Sequence, residues 1–455
     1  MRYTLTILEK HLEKLAGIVF SVPECEGAAY LLCGHSYTGD EHRLLVREVV
    51  PVKDEDYRRR EPLRLSIRSD SYSHVAKQAV ATGSSILFVH SHPGGFADFS
   101  EQDDREEPEL MRFFRNRAPH VVHGSLVLSS QDHLRARVWK GEDWEEMERV
   151  RVIGRRIRLL GPAPHGFEVS PFFDRQVRAF GNDIQRLLAR LHVGVVGAGG
   201  TGSPVAEQLV RLGVGTVSIF DGDTLEESNV TRVYNSHVSQ AGQNKANLQG
   251  ASLSAIGLGT NVRVYPEHIT TEAVAKRLRE CDVVFGCTDK ETPRASLVQL
   301  SLRYLIPIFD TGVKVDSEDG MIRDITGRVT TVMPGEACLF CRGRITSAGI
   351  LNEQRPEEDR LRLVAEGYAP ESQTRNPAVV TFTTAVAAQA VSELLHRLTG
   401  FMGKERVSTE VLHFFHDTNI RRNRVDPVPG CLCSNTELWG RGDASRDFLG
   451  QMWAA

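Results

Sequence analysis

The 455-residue chain carries three groups of side chains whose types and spacing suit chemistry. The first is His90-Ser91-His92-Pro93 followed by Phe99-Ser100-Glu101-Gln102-Asp103, a spacing of H-x-H-x7-S-x2-D. Two histidines at i and i+2 on a strand end point to the same face, so both imidazoles reach one cation. A helix opening near Ser100 brings Asp103 back as a third ligand. Three protein ligands leave the fourth tetrahedral position to water, the arrangement of a catalytic rather than a structural zinc. A carboxylate must then take the proton of that water. Glu24 and Glu26 precede the apolar run Gly27–Gly34 and are the candidates. Glu26 is preferred because it stands directly at the start of the strand, with Glu24 in reserve.

The second group begins with Gly197-Ala198-Gly199-Gly200-Thr201-Gly202, which follows one strand and opens a helix. Glycines there let backbone N–H groups approach an anion, and the helix N-terminus favours negative charge. Asp221, at the end of the next strand, is placed to accept ribose hydroxyls. The glycine pattern alone suits NAD equally well. Downstream stand Ser228-Asn229-Val230-Thr231-Arg232, Gly242-Gln243-Asn244-Lys245 and Cys287-Thr288-Asp289. A triphosphate with magnesium needs cationic side chains and a carboxylate for the metal, and Arg232, Lys245 and Asp289 fit those roles. The third group is two close cysteine pairs, Cys338 with Cys341 and Cys431 with Cys433; in a reducing compartment such pairs read as metal ligands.

The elements that must position these residues fall into two patterns. Residues 11–20 have helical spacing, 27–34 form a strand-length apolar run, and 71–83 read as a helix ending at Gly83. A buried strand over 84–93 follows, then strands at 124–130 and 134–140. The charged stretch 144–161 closes in Gly161-Pro162-Ala163-Pro164, which marks a domain boundary. Beyond it, the segments 192–200 (a strand entering the glycine turn), 216–223, 281–289 and 305–312 read as strands alternating with helices, implying a parallel, doubly wound sheet. Residues 345–377 read as a polar crossover loop and 379–398 as a long apolar helix. The resulting organisation is 1–145, a linker at 146–164, 165–430, and a C-terminal tail at 431–455.

Composition narrows the classes. Lys and Arg total 55 against 59 Asp and Glu, a net charge of −4, so no global positive field grips a nucleic-acid backbone. No apolar run is long enough to span a bilayer. The first residues carry Glu9, Lys10, Glu13 and Lys14 where a signal peptide needs an apolar core. A cytoplasmic protein binding neither nucleic acid nor membrane is expected.

With its serine, aspartate and upstream glutamate, the first group resembles the JAMM (MPN/JAB) zinc metallopeptidases, over roughly residues 1–145. Those enzymes cut peptide or isopeptide bonds after the C-terminal glycine of ubiquitin-like proteins. The resemblance implies His90, His92 and Asp103 as zinc ligands, Glu26 as base, and Ser100 as hydrogen-bond donor to the developing oxyanion. The second group, over residues 165–430, resembles the ubiquitin-activating superfamily with its ThiF and MoeB adenylyltransferases. These attack the α-phosphate of ATP with the C-terminal carboxylate of a β-grasp protein, giving an acyl-adenylate and pyrophosphate. By that resemblance Gly197, Gly199, Gly200 and Gly202 form the nucleotide turn and Asp221 binds ribose. Asn229, Arg232 and Lys245 hold phosphates, and Asp289 handles Mg2+. Phe173-Asp174-Arg175-Gln176 is similar to the motif whose arginine reaches a neighbouring protomer's ATP, implying Arg175 in trans and a homodimer. The superfamily often pins its C-terminal segment with a four-thiolate zinc; here Cys431-x-Cys433 departs from the usual C-x2-C.

The expected fold is α/β throughout, an N-terminal JAB/MPN metallopeptidase domain followed by a Rossmann-like, doubly wound adenylation domain. The expected function is a bifunctional enzyme of a bacterial ubiquitin-like pathway. It cleaves after a modifier's terminal glycine and adenylates that terminus, without its own thioester cysteine, before hand-off to a conjugating enzyme. The alternative is maturation and activation of a sulfur-carrier protein.

Overall fold

The computed structural model describes the chain except residues 63, 162–167, 357, 360–361, 363–365, 367–376, 445–446, 452 and 454–455. Two compact units emerge. The first comprises residues 1–166 with 303–305 and 436–447; the second comprises 167–302, 306–435 and 448–455.

The first unit runs β1 (Arg2–Leu8), α1 (Glu9–Val19), β2 (Ala28–Thr38), β3 (Glu41–Pro51), β4 (Tyr57–Glu61), β5 (Arg64–Ile67), α2 (Ser69–Thr82), β6 (Ser85–Ser91), α3 (Glu101–Arg117), β7 (His123–Leu128), β8 (Leu134–Lys140), β9 (Asp143–Glu146), β10 (Arg149–Ile153) and β11 (Ile157–Leu160). Nine strands form one mixed sheet in the order β11-β10-β1-β3-β2-β6-β7-β8-β9. The unbroken apolar run of β2 follows from burial on both faces. Ala29, Leu31 and Cys33 join the core that includes Leu12 and Leu15 of α1. Ala28, Tyr30 and Leu32 join the core of Val75, Met111 and Phe114 from α2 and α3.

The stretch read as a linker contributes β10 and β11 to this sheet instead. Its charges concealed it. Arg151 is buried at 2.9 Å from Glu41, which also pairs with Arg43 at 3.1 Å. Burial works against the Glu41 charge, but the two guanidiniums hold its carboxyl well below the usual range. The prolines Pro162 and Pro164 lie outside the described residues.

The second unit runs α4 (Asp174–Phe180), α5 (Asn182–Arg190), β12 (His192–Val196), α6 (Gly202–Arg211), β13 (Thr216–Phe220), α7 (Lys245–Ala255), β14 (Asn261–Tyr265), α8 (Glu272–Ala275), β15 (Val283–Gly286), α9 (Glu291–Tyr304), β16 (Ile308–Glu318), β17 (Met321–Val332), α10 (Ser347–Gln354), the long helix Val380–Thr399, β18 (Glu410–Phe414) and β19 (Asn419–Asn423). Strand order is β14-β13-β12-β15-β16-β17-β18-β19. The first five are parallel, as expected; β17, β18 and β19 extend the sheet antiparallel. The order reverses at the β12–β15 pair, the switch point where ligands bind in open α/β sheets. The segment expected as a crossover loop contains α10, and most of the remainder lies outside the described residues. Among the described residues no helix is long and apolar enough to cross a membrane.

Candidate functional site

In the first unit, extended backbone at the end of β6 sends His90 and His92 to one face and Ser91 to the other. The Ser91 hydroxyl donates to the Val19 carbonyl at 3.0 Å and accepts from Gly27 N–H at 3.0 Å. Ser91 N–H returns to the Gly27 carbonyl at 3.0 Å. A Cβ at Gly27 would lie 2.2 Å from the Val19 oxygen, so only glycine fits this crossing. Ala28 pairs with His90 in the β2–β6 ladder. Continuing that register brings Glu26 level with His92.

Ser100 caps α3. Its hydroxyl accepts from Asp103 N–H at 3.2 Å, while Asp103 Oδ2 accepts from Ser100 N–H at 2.6 Å and from its hydroxyl at 2.7 Å. This reciprocal cap turns Asp103 Oδ1 to 3.2 Å from His90 Nε2. His90 Nε2 and His92 Nε2 are 3.2 Å apart, and Asp103 Oδ2 is 3.8 Å from His92 Nε2. All three ligand atoms lie within 4.8 Å of one another. Tetrahedral nitrogens ~2.05 Å from a zinc ion sit ~3.3 Å apart, so the donor set fits that metal. His92 Nδ1 lies 3.3 Å from the Phe96 carbonyl, the outer contact that leaves Nε2 for a cation.

Glu26 is half-buried. Burial pushes its carboxyl up to about 7; the charge on His90 opposes the rise, and Asp103 and Glu106 add to it. Glu24 instead is exposed, on backbone with φ +62°. Sequence reasoning missed Ser91 and Gly27, which tie the Glu26 loop to β6. The alternation around His-Ser-His carried the signal for Ser91.

In the second unit, β12 ends in the glycine turn. Gly197 has φ +93°, and a Cβ on it would meet the Cys287 carbonyl at 2.6 Å. A Cβ on Gly202 would sit 1.7 Å from the Gly197 oxygen. The turns after β12 and β15 therefore touch at the switch point, and Asp289 stands exposed just before α9. Gly199 and Gly200 complete the turn, with the Arg232 side chain lying over Gly200. Arg232 Nη1 donates to the Ser228 carbonyl at 3.0 Å, and Asn229 is buried in the same turn.

Asp221 is buried, which raises its carboxyl above the ordinary range against the backbone hydrogen bonds it accepts. Those bonds are Ala198 N–H at 2.6 Å and Asp223 N–H at 2.8 Å. The more exposed carboxylate is Asp223, which sequence reasoning missed; it stands 3.3 Å from Lys245 Nζ and 3.7 Å from His268 Nε2. Its signal was the Asp-Gly-Asp at the strand end. Arg175 is exposed on α4, anchored by the buried Phe173.

The cysteine pairs converge. Cys338 Sγ lies 3.5 Å from Cys431 Sγ and 3.9 Å from Cys341 Sγ, and Cys341 Sγ lies 3.4 Å from Cys433 Sγ. Four sulfurs ~2.3 Å from one ion lie ~3.8 Å apart. Disulfide sulfurs are much closer, at ~2.05 Å. Val428 N–H donates to Cys341 Sγ at 3.3 Å. The C-x-C spacing is thus compatible with a four-thiolate cluster.

A sequence model of the ThiF family matches residues 173–434, more than half of the chain. The chain belongs to the ThiF family. Ahead of its ThiF region, residues 8–142 match the model for prokaryotic homologs of the JAB domain, so the chain is a fusion of the two. Its relatives include ubiquitin-like modifier-activating enzyme 5 of Dictyostelium discoideum, 29% identical over 180 residues, 37% of this chain and 45% of the relative. The sulfur carrier protein adenylyltransferase of Thermus thermophilus is 37% identical over 109 residues, 24% of this chain and 40% of that protein. The tRNA threonylcarbamoyladenosine dehydratase of Escherichia coli is 30% identical over 141 residues, 31% and 53% respectively. The chain thus spans about half the length of the curated relatives it matches. Among solved structures, E. coli MccB aligns at 15% identity and a TM-score of 0.48, covering 60% of this chain and 77% of MccB.

Proposed function

We propose that the chain is a bifunctional enzyme acting on the C-terminus of a small ubiquitin-like protein. The JAB half hydrolyses the bond after its terminal glycine, and the ThiF half adenylates the exposed carboxylate with ATP. The observation that carries the reading is the convergence of His90, His92, Asp103 and Glu26, on the same chain as a ThiF nucleotide turn.

In the JAB half, His90, His92 and Asp103 hold zinc. A bound zinc ion supplies Lewis acidity, polarising the scissile carbonyl and acidifying water. Glu26, beside the three ligands, takes the proton of the attacking water and returns it to the leaving nitrogen. Ser100, whose hydroxyl here donates to Asp103 Oδ2, would have to turn that one proton from the carboxylate toward the developing oxyanion to stabilise it.

In the ThiF half, backbone N–H groups from Gly197 to Gly202 and the N-terminus of α6 receive phosphate oxygens. Asp221 faces the ribose, while Asn229, Arg232 and Lys245 hold the phosphates, the two cations offsetting their charge, and Asp289 would hold magnesium. The substrate carboxylate attacks the α-phosphate; the bond to the β-phosphate breaks and pyrophosphate leaves. A homodimer supplies Arg175 in trans. No cysteine of the ThiF half outside the sulfur cluster is set up for a thioester: Cys281 is buried and burial pushes the Cys287 thiol up to about 12, while Cys25 and the buried Cys33 lie in the JAB half. Four more form the sulfur cluster. The adenylate therefore passes to an external nucleophile, a conjugating enzyme's thiol.

The test is intact-mass spectrometry of the full-length protein with Mg-ATP and a small β-grasp protein, without reductant. An adenylated small protein and an unmodified enzyme support direct hand-off. A thiol-sensitive enzyme adduct overturns it. Asp289→Ala should abolish ATP–pyrophosphate exchange and leave cleavage intact. The Thermus relative's name favours one second reading, a sulfur-carrier substrate, which a thiocarboxylate product on adding a sulfide donor would establish.

A further inference from the structure

Beside the histidine cluster lies a cavity of about 220 Å³. Phe99 forms the shared wall: its ring centroid is 6.3 Å from that of His90, and the Arg137 guanidinium sits 3.8 Å from it. Asp104, the residue after the ligand Asp103, lines the cavity with Trp144 of β9 opposite. Ligand pockets for whole small molecules run about 300–1,000 Å³, so this space suits a single side chain.

Its charges are unbalanced. Arg137 is fully buried and bound by Glu107 at 2.9 Å and by Asp104. Arg135 donates twice to Glu146, at 2.6 and 2.7 Å, and also pairs with Asp98. Three carboxylates, Asp98, Asp104 and Glu146, thus face the cavity with two guanidiniums that are both already engaged, and Glu107 is buried behind Arg137. The side chains of Asp98 and Asp104 are 60% and 49% exposed, and Trp144 is 44% exposed. An acidic occupant would meet excess negative charge, and an apolar one would strip water from carboxylates without replacing it. A cation on a flexible apolar stem meets both the carboxylates and the Trp144 face.

We propose that this cavity is a specificity pocket receiving a lysine or arginine side chain of the substrate, flanking the bond that is cut. The proposal rests on the metallopeptidase reading of the JAB half. Terminal glycines have no side chain to offer, so the occupant precedes the glycine pair or follows the scissile bond.

The test uses zinc-loaded full-length protein and internally quenched peptides containing Gly-Gly. Lysine, arginine, norleucine or glutamate is placed either just before the glycine pair or just after the cut. At one of the two positions, kcat/KM for the cationic peptides should exceed that for norleucine by about tenfold, the scale of one cation–π contact with a charge pair. Trp144→Ala and Asp98→Asn, both at exposed positions, should bring the lysine-to-norleucine ratio close to one. Equal cleavage of all peptides at both positions, a preference for glutamate, or a lysine preference surviving both substitutions overturns the pocket. Fluorescence anisotropy of the same peptides on the Glu26→Gln protein separates the two claims. Preferential binding of cationic peptides that wild type never cuts supports the pocket and overturns the peptidase reading. Absence of both cleavage and binding preference overturns the pocket.

Discussion

The two candidate metal-ligand clusters are assembled in opposite ways. The four sulfurs come from two segments, with Cys338 and Cys431 93 residues apart, and together they would fill every position around a tetrahedral ion. The His90–His92–Asp103 cluster is assembled from the end of β6 and the first turn of α3, and it supplies three ligands. A closed site ties chain segments together; an open one leaves a coordination position for water or substrate. The surroundings match this division. The three-ligand cluster has a half-buried carboxyl near neutrality beside it, while the sulfur cluster has a backbone N–H donor, Val428.

The sharpest way to break this contrast is to remove one ligand from the closed cluster. Cys433→Ser should lower zinc content by one ion per chain, read by elemental analysis. It should also lower the melting temperature, because metal binding energy is folding energy at such a site. The cost should be several kcal/mol, above the ~1 kcal/mol of an average substitution. A variant that melts with wild type and keeps its metal would make these four residues ordinary buried thiols.

At the open cluster the corresponding change should act on chemistry rather than on folding. Glu26→Gln preserves shape and all three ligands, so zinc content and melting should hold while cleavage falls about 10²–10⁴-fold. Glu24→Gln should leave the rate within about twofold, as for a surface change remote from the site. Loss of activity in Glu24→Gln with retention in Glu26→Gln would move the base two residues upstream.

The legibility of the two clusters in the sequence differs for the same structural reason. His90, His92, Ser100 and Asp103 are local, and strand alternation with a helix cap is enough to bring them together. Glu26 depends on the β2–β6 register, so the sequence left Glu24 and Glu26 both open. The glycine turn and four of the five parallel strands were readable from continuous apolar runs separated by helices; the edge strand β14, Asn261–Tyr265, lacks such a run and was not read. Three further features hid themselves. β10 carries Arg149 and Arg151, and the buried Arg151 is satisfied by Glu41, a partner distant in sequence. β17–β19 extend the sheet antiparallel, outside the strand–helix alternation that announced the parallel strands. The role of Asp223 emerged only once Lys245 and His268 had folded against it.

Acid offers a smaller and subtler separation of the two units. In the first unit His35 Nδ1 and His42 Nε2 stand 3.0 Å apart, both rings buried, with Tyr37 stacked on each. Burial lowers both to about 4; proximity to His35 lowers His42 further, and Asp443 opposes the shift in each. A histidine held below its unfolded value of about 6.5 contributes stability that is complete above that pH. That stability is lost as the pH falls toward 4, because the unfolded chain then binds the extra proton. The full loss is at most ~3 kcal/mol for one histidine. His42→Phe keeps the stacking on Tyr37 but leaves His35 Nδ1 without its partner, a cost of ~1 kcal/mol at pH 7.5. Urea unfolding followed by tryptophan fluorescence from pH 7.5 to 5 should show wild type losing stability faster than the variant. The gap should close and then reverse. A constant gap across that range would clear His42 of any part in acid sensitivity and leave it to His35, His11 and His123, which burial also lowers to about 4.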